Sequence, residues 1–301
     1  MVHRGAKSCD CAGATVLADR HDGTVVRHGD IVAKAHAPDA DRSELAVRTA
    51  VAAHPALAGI LLPPLAIPGA ELHGRAVSFW PHGTPVDPEA PDEAPWEQAA
   101  TLLARLHRTP TAQLPGPVPQ MRGPVKAALA VARMRKAGPH PAAAPVEGAW
   151  STLPAWARAE APMPHATTLC HGDLHLGQLV RHPTPGGAWL LIDVDDLGLG
   201  APAWDLARPA AWYAAGLLDP DAWTRFLGAY RAAGGPAVPA DGDPWPALDT
   251  AAQALTVQTA ALAIAKSRAE SRELDDVELA VVHACDRIAA LPPQLAPGAP
   301  K

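Results

Sequence analysis

The chain has 301 residues, 48% hydrophobic and 19% charged, so it holds enough apolar material for a sizeable core and is not a disordered sequence. A formal net charge of −6 with no Lys/Arg run argues against a nucleic-acid partner. The cysteines Cys9, Cys11, Cys170 and Cys285 match no disulfide or zinc spacing, and no apolar run suits a leader or a membrane span; a cytoplasmic protein with reduced thiols is expected.

In chain order, residues 14–19, 24–28 and 31–37 cluster β-favouring residues around two turn signals, Asp22-Gly23 and His28-Gly29-Asp30, which predicts an antiparallel meander. Lys34 interrupts the run Ile31-Val32-Ala33-Lys34-Ala35, otherwise that of a buried strand, so its ammonium needs a partner or an edge from which to reach water. Residues 42–53 read as a helix ending before His54-Pro55. Glu44 in its first turn suits either an ion pair with Lys34 or a capping box with Asp41. Residues 75–80 form a strand that stops at Pro81-His82-Gly83-Thr84-Pro85, and an acidic, Pro-rich linker follows. Ala99, Leu102, Leu103 and Leu106 place a helical stripe on 96–107, with His107 at its end as a helix-dipole partner. Within 109–165 one helix is predicted, at 123–136, and no motif is legible; the segment suits substrate-specific structure or a loop. Further helices are expected at 203–216, 220–233, 246–268 and 274–291. The acids Glu270, Glu273, Asp275, Asp276 and Glu278 read as first-turn residues of the last helix ahead of a patch for an amine. The division expected is 1–80, a connection at 81–95, 96–291 and a Pro-rich tail at 292–301.

Chemistry concentrates in 169–205. His171-Gly172-Asp173 is followed by Gln178, by the apolar runs Leu179-Val180 and Trp189-Leu190-Leu191-Ile192 on either side of Thr184-Pro185-Gly186-Gly187, and then by Asp193-Val194-Asp195-Asp196. A hairpin turning at Pro185-Gly186 sets Gln178 opposite Asp193, and such oxygen ligands suit Mg²⁺. Asp173 is left to act as a base. His171-x-Asp173-x-His175 also looks like part of a metal-hydrolase site, but no second ligand cluster accompanies it.

The set His171-Gly172-Asp173, Gln178, Ile192-Asp193 and Pro202-x-x-Asp205-Leu206-Ala207 resembles the aminoglycoside phosphotransferase and choline kinase-like superfamily, small-molecule relatives of protein kinases, over roughly residues 14 to 290. Gln178 stands where most members have Asn, a departure shared with the maltokinase and glucosamine kinase-like branch. The resemblance implies an α+β, two-lobed protein kinase-like fold: a small antiparallel β-sheet lobe and a larger, mainly helical lobe. It further implies Asp173 as catalytic base, Gln178 and Asp193 as Mg²⁺ ligands, and Lys34 on the ATP phosphates with Glu44 as its partner. Backbone groups at Ser78, Phe79 and Trp80 would meet adenine, Asp195 and Asp196 an acceptor, and His171 and Asp205 would support the loop. The expected activity is ATP- and Mg²⁺-dependent phosphorylation of a hydroxyl on a small molecule, an aminoglycoside or amino sugar foremost. The alternative to catalysis is a nucleotide-binding pseudokinase, since the turn at Asp22-Gly23 holds one glycine.

Overall fold

The computed structural model describes residues 13–20 and 23–291. Cys9, Cys11, Asp22 and the 292–301 tail lie outside the described residues.

The meander forms as expected. Strands β1 (Thr15–Arg20), β2 (Gly23–His28) and β3 (Ile31–His36) pair antiparallel, and α1 (Arg42–Ala52) follows, its first turn capped by the Asp41 carboxylate accepting from the Ser43 and Glu44 amides at 2.8 and 3.0 Å. β4 (Ala70–Leu72) and β5 (Arg75–Pro81) complete a five-stranded sheet in the order β1-β2-β3-β5-β4. Lys34 lies opposite Ser78 in this sheet.

The large lobe opens with the two-residue strand β6 (Thr84–Pro85) and α2 (Trp96–His107), whose stripe Ala99, Leu102, Leu103 and Leu106 is buried. Helices α3 (Gly123–Lys136) and α4 (Ala143–Thr152) precede β7 (Thr168–Cys170). β8 (Leu179–His182) and β9 (Ala188–Leu191) form the expected hairpin, and β10 (Gly198–Gly200) pairs back onto β7. Four helices close the described residues: α5 (Ala203–Ala214), α6 (Pro220–Ala232), α7 (Trp245–Glu270) and α8 (Asp276–Ala289). α7 is the axis of this lobe, buried almost all round from Leu248 to Ser267, with α3, α5, α4 and α8 packed against it. No helix among the described residues is long and apolar enough to cross a membrane. The result is a two-lobed, kinase-like α+β fold with an antiparallel N-terminal sheet and a helical C-terminal lobe.

Two details position the centre. Arg48 of α1 is buried at 4% exposure; its guanidinium donates to the Leu197 carbonyl at 2.8 Å and the Gln120 carbonyl at 3.3 Å, fastening the helix to the large lobe. Gly123 lies so close to the Trp204 indole that a Cβ there would collide with the ring. Gly123→Ala is accordingly expected to cost about 1–3 kcal/mol by overpacking, because Trp204 is itself buried and cannot yield. Urea titration checks this, and an unchanged midpoint contradicts it.

The C-terminal acids serve the helix. Asp275 and Glu278 form a capping box on α8, and Arg272 takes Glu270 at 2.9 Å and Glu278 at 2.6 Å.

Candidate active site

The loop after β7 hangs from one carboxylate. Asp205, fully buried in the first turn of α5, accepts the His171 amide at 2.6 Å and the Gly172 amide at 2.7 Å. Its third donor is His107 Nε2 at 2.9 Å; His107 Nδ1 meets the Tyr230 hydroxyl at 2.7 Å, and the Tyr230 oxygen accepts the Ala237 amide at 3.0 Å. Burial alone raises the Asp205 carboxyl, but His107 and the amide donors outweigh it and hold the group below the usual carboxylate range. Gly172 adopts φ +85°, and its Cα lies where a side chain would strike the Asp196 carbonyl, so only glycine lets the loop approach this closely. His171 Nε2 donates to the Ile192 carbonyl at 2.8 Å. These contacts make His171 and Asp205 supports of the loop.

Asp173, at the loop's crest, has a cation on each oxygen. Arg208 Nη2 meets Oδ1 at 2.8 Å while its Nε takes the Leu174 carbonyl at 3.0 Å, and Lys126 Nζ meets Oδ2 at 2.7 Å. Burial would raise this carboxyl; Lys126 and Arg208 more than offset it, so the group stays ionised far below its ordinary range. His175, pushed down to about 4 by burial and by Arg208, is neutral at neutral pH. It accepts from the Gly177 amide at 3.1 Å.

Lys34 reaches from β3 to the large lobe. Its ammonium lies 2.5 Å from Asp193 Oδ1 and 3.0 Å from Asp195 Oδ2. Burial pulls Lys34 down, yet the two carboxylates prevail and hold it above the usual lysine range. Asp195 also receives His36 Nδ1 at 3.1 Å, and His36 Nε2 meets the Ser78 hydroxyl, which accepts from Trp80 Nε1 at 2.8 Å.

Two expectations need correction. Glu44 does not pair with Lys34: it lies one helical turn before Arg48 and takes that guanidinium at 2.9 Å, while the nearer acids of the large lobe hold Lys34. Gln178 stands opposite Ile192, not Asp193; Leu179 faces Leu191, and the Ile192 amide donates to the Gln178 carbonyl at 2.9 Å. The hairpin loop has five residues, closed by Gly187 N to Pro183 O at 2.9 Å, because Pro183 and Pro185 carry no amide to extend the ladder. Asp193 reaches the cleft through a left-handed backbone, φ +64°. Ser78, Phe79 and Trp80 lie within β5, which continues to Pro81, and the Phe79 carbonyl is taken by the Leu65 amide at 2.9 Å. The chain leaves the strand only at His82 and Gly83. Of the carboxylates expected to meet an acceptor, Asp195 lies beside Lys34 at 3.0 Å and Asp196 beside Lys126 at 2.7 Å. Burial, opposed by Lys126, pushes Asp196 above the usual range, with the charges of Asp173 and Asp193 adding to it.

A family model for a phosphotransferase enzyme family matches residues 16–248. The chain belongs to that family. Its members transfer phosphate to hydroxyls of small molecules. No curated protein matches the sequence. Among solved structures, spectinomycin phosphotransferase APH(9)-Ia in complex with ADP and spectinomycin is 13% identical, with a TM-score of 0.61 over 94% of this chain and 91% of that one. A choline/ethanolamine kinase family protein from Mesorhizobium loti is 17% identical, with a TM-score of 0.55 over 93% and 89%. A thermostable mutant of APH(4)-Ia, in ternary complex with AMP-PNP and hygromycin B, gives 16% and 0.59 over 94% and 95%. At such identities these likenesses establish the shared fold.

In this phosphotransferase the side chains of the hydrolase motif go to separate partners: His171 to a carbonyl, Asp173 to two cations, His175 to an amide. The described residues bring ligating atoms of three side chains together at His107, Cys170 and Asp205. That cluster is a buried hydrogen-bonded support, and burial pushes the Cys170 thiol well above its ordinary value. Lys126, Arg208, His107 and Tyr230 were not singled out by sequence for these roles. His107 carried a signal, since it falls one turn after Leu103 on the buried stripe of α2.

Proposed function

We propose that the chain catalyses ATP- and Mg²⁺-dependent phosphorylation of a hydroxyl on a polyhydroxylated small molecule, with aminoglycosides and amino sugars the favoured acceptors. The observation that carries the chemistry is the arrangement around one cleft: an ionised, doubly braced Asp173 on the large lobe, and Lys34 reaching Asp193 and Asp195 from the small one. The acceptor class rests on the likeness of the catalytic loop to the glucosamine kinase-like branch.

Asp173 takes the proton of the acceptor hydroxyl as its oxygen attacks the γ-phosphorus. Arg208 fixes the orientation of that carboxylate. Lys34, a buried ammonium, meets the nucleotide phosphates, and the main chain from His82 onward receives the base. The oxygen donors Asp193, Asp195 and the Gln178 amide form a hard set that fits Mg²⁺. Bound there, the metal would neutralise phosphate charge.

The test is ATP turnover with Mg²⁺ against aminoglycosides, amino sugars, neutral sugars, choline and homoserine. Turnover with the sugar-based acceptors is expected. Activity confined to choline or homoserine overturns the acceptor class and leaves phosphotransfer standing; nucleotide binding with no turnover across the panel favours the pseudokinase.

A further inference from the structure

Lys126 comes from the segment in which the sequence shows no motif. Its ammonium bridges Asp173 Oδ2 and Asp196 Oδ2, 2.7 Å from each. The helix that carries it is stitched to the strand beside the centre: the Arg122 amide donates to the Asp196 carbonyl at 3.3 Å, the Met121 amide to the Leu199 carbonyl at 3.0 Å, and the Leu199 amide to the Pro119 carbonyl at 2.8 Å. Gly123, pressed on Trp204, fixes the first turn of α3. Lys126 is therefore held at the centre by backbone and packing, and is not a surface chain that happened to fold inward. Burial opposes its charge, but Asp196 and Asp173 keep the ammonium above the usual lysine range.

An ammonium has three N–H donors. Two are committed to carboxylates here, and the side chain retains 26% exposure. The phosphoryl group in flight must pass between the nucleotide, on the Lys34 and Asp193 side, and a hydroxyl on Asp173.

We propose that Lys126 is a catalytic residue: its third N–H meets the transferring phosphoryl group while the other two hold Asp173 and Asp196 in place. This rests on the phosphotransfer activity proposed above. In the step, the acceptor oxygen forms a bond to the γ-phosphorus, and the bond from that phosphorus to the bridging oxygen breaks with its electron pair remaining on ADP. The acceptor proton passes to Asp173. Lys126 keeps its protons throughout and supplies positive charge where the equatorial oxygens spread negative charge.

The test measures binding of MgADP with and without aluminium fluoride, a mimic of the transferring group, to the unaltered chain, Lys126→Met and Lys126→Arg. Fluoride is expected to tighten MgADP in the unaltered chain by about tenfold or more, as transition-state mimics do. Lys126→Met loses that tightening while binding MgADP alone as before, and Lys126→Arg, which keeps the charge, retains part of it. If Lys126→Met keeps the tightening, or loses MgADP affinity to the same extent, the inference fails, and the second outcome marks a merely structural lysine. Faster turnover of aminated acceptors by Lys126→Met overturns it too, because the ammonium would then be a plug in a substrate subsite. MgADP binding without any fluoride effect in the unaltered chain sinks this inference alone. Failure of the unaltered chain to bind MgADP sinks the phosphotransfer activity itself.

Discussion

Asp173→Asn is expected to cut kcat by about 10²–10⁴-fold, the usual worth of a positioned general base, with MgATP affinity nearly unchanged. The amide matches the carboxylate in shape but cannot take a proton at neutral pH. It also faces cations on both edges, Arg208 at Oδ1 and Lys126 at Oδ2, so whichever edge receives its NH₂ meets another donor. The substitution leaves Lys34, Asp193 and Asp195 in place, which is why nucleotide binding survives. Single-turnover kinetics beside a nucleotide-binding isotherm separate the two effects; a variant with undiminished rate removes Asp173 as the base.

Asp205→Ala carries the largest stability cost, about 3–5 kcal/mol, because three buried donors lose their acceptor at about 1–3 kcal/mol each. It strands the buried His171 and Gly172 amides and the His107 ring, and frees the loop that presents Asp173. The effect depends on pH with a definite sign. The folded carboxyl lies below its unfolded value of about 3.9, so its contribution is complete above that value and fades as pH falls through the folded one. The gap in urea midpoint between the unaltered chain and Asp205→Ala should be full at neutral pH and narrow on acidification below about pH 4. A gap that does not narrow removes the ionised carboxylate as its cause.

Local signals carried far along this sequence. Helices at 96–107 and 123–136 follow from stripe and punctuation alone, and their observed bounds agree with that expectation. α4 lies in the segment where only one helix was expected, and it forms with Pro145 and Gly148 inside it. Pro145 falls in the first turn, where no amide is needed, and Gly148 makes room for Ala289 of α8. The same division runs through the centre. His171, Asp173, Gln178, Asp193 and Asp205 stand at motif spacing, whereas Lys126 and Arg208 reach Asp173 from 47 and 35 residues away. A lysine on a helix looks like a solvated residue until the fold brings two carboxylates to it. Glu44 shows the converse: local spacing toward Arg48 prevailed over a long-range partner that looked equally reasonable.

The joint made by Arg48 distributes its constraint unevenly along the chain. Its acceptors across the lobes are main-chain carbonyls, at Leu197 and Gln120, and every residue type carries such a group. The joint thus makes no demand on the side chain at 120, whereas Leu197 is fixed separately by its complete burial in the core. Position 48 has no such latitude, since a planar fork reaches both carbonyls and Glu44 together, and a lysine offers a single point of charge in its place. Of the three positions that make the joint, 48 alone must keep its side chain for the hydrogen bonds to form.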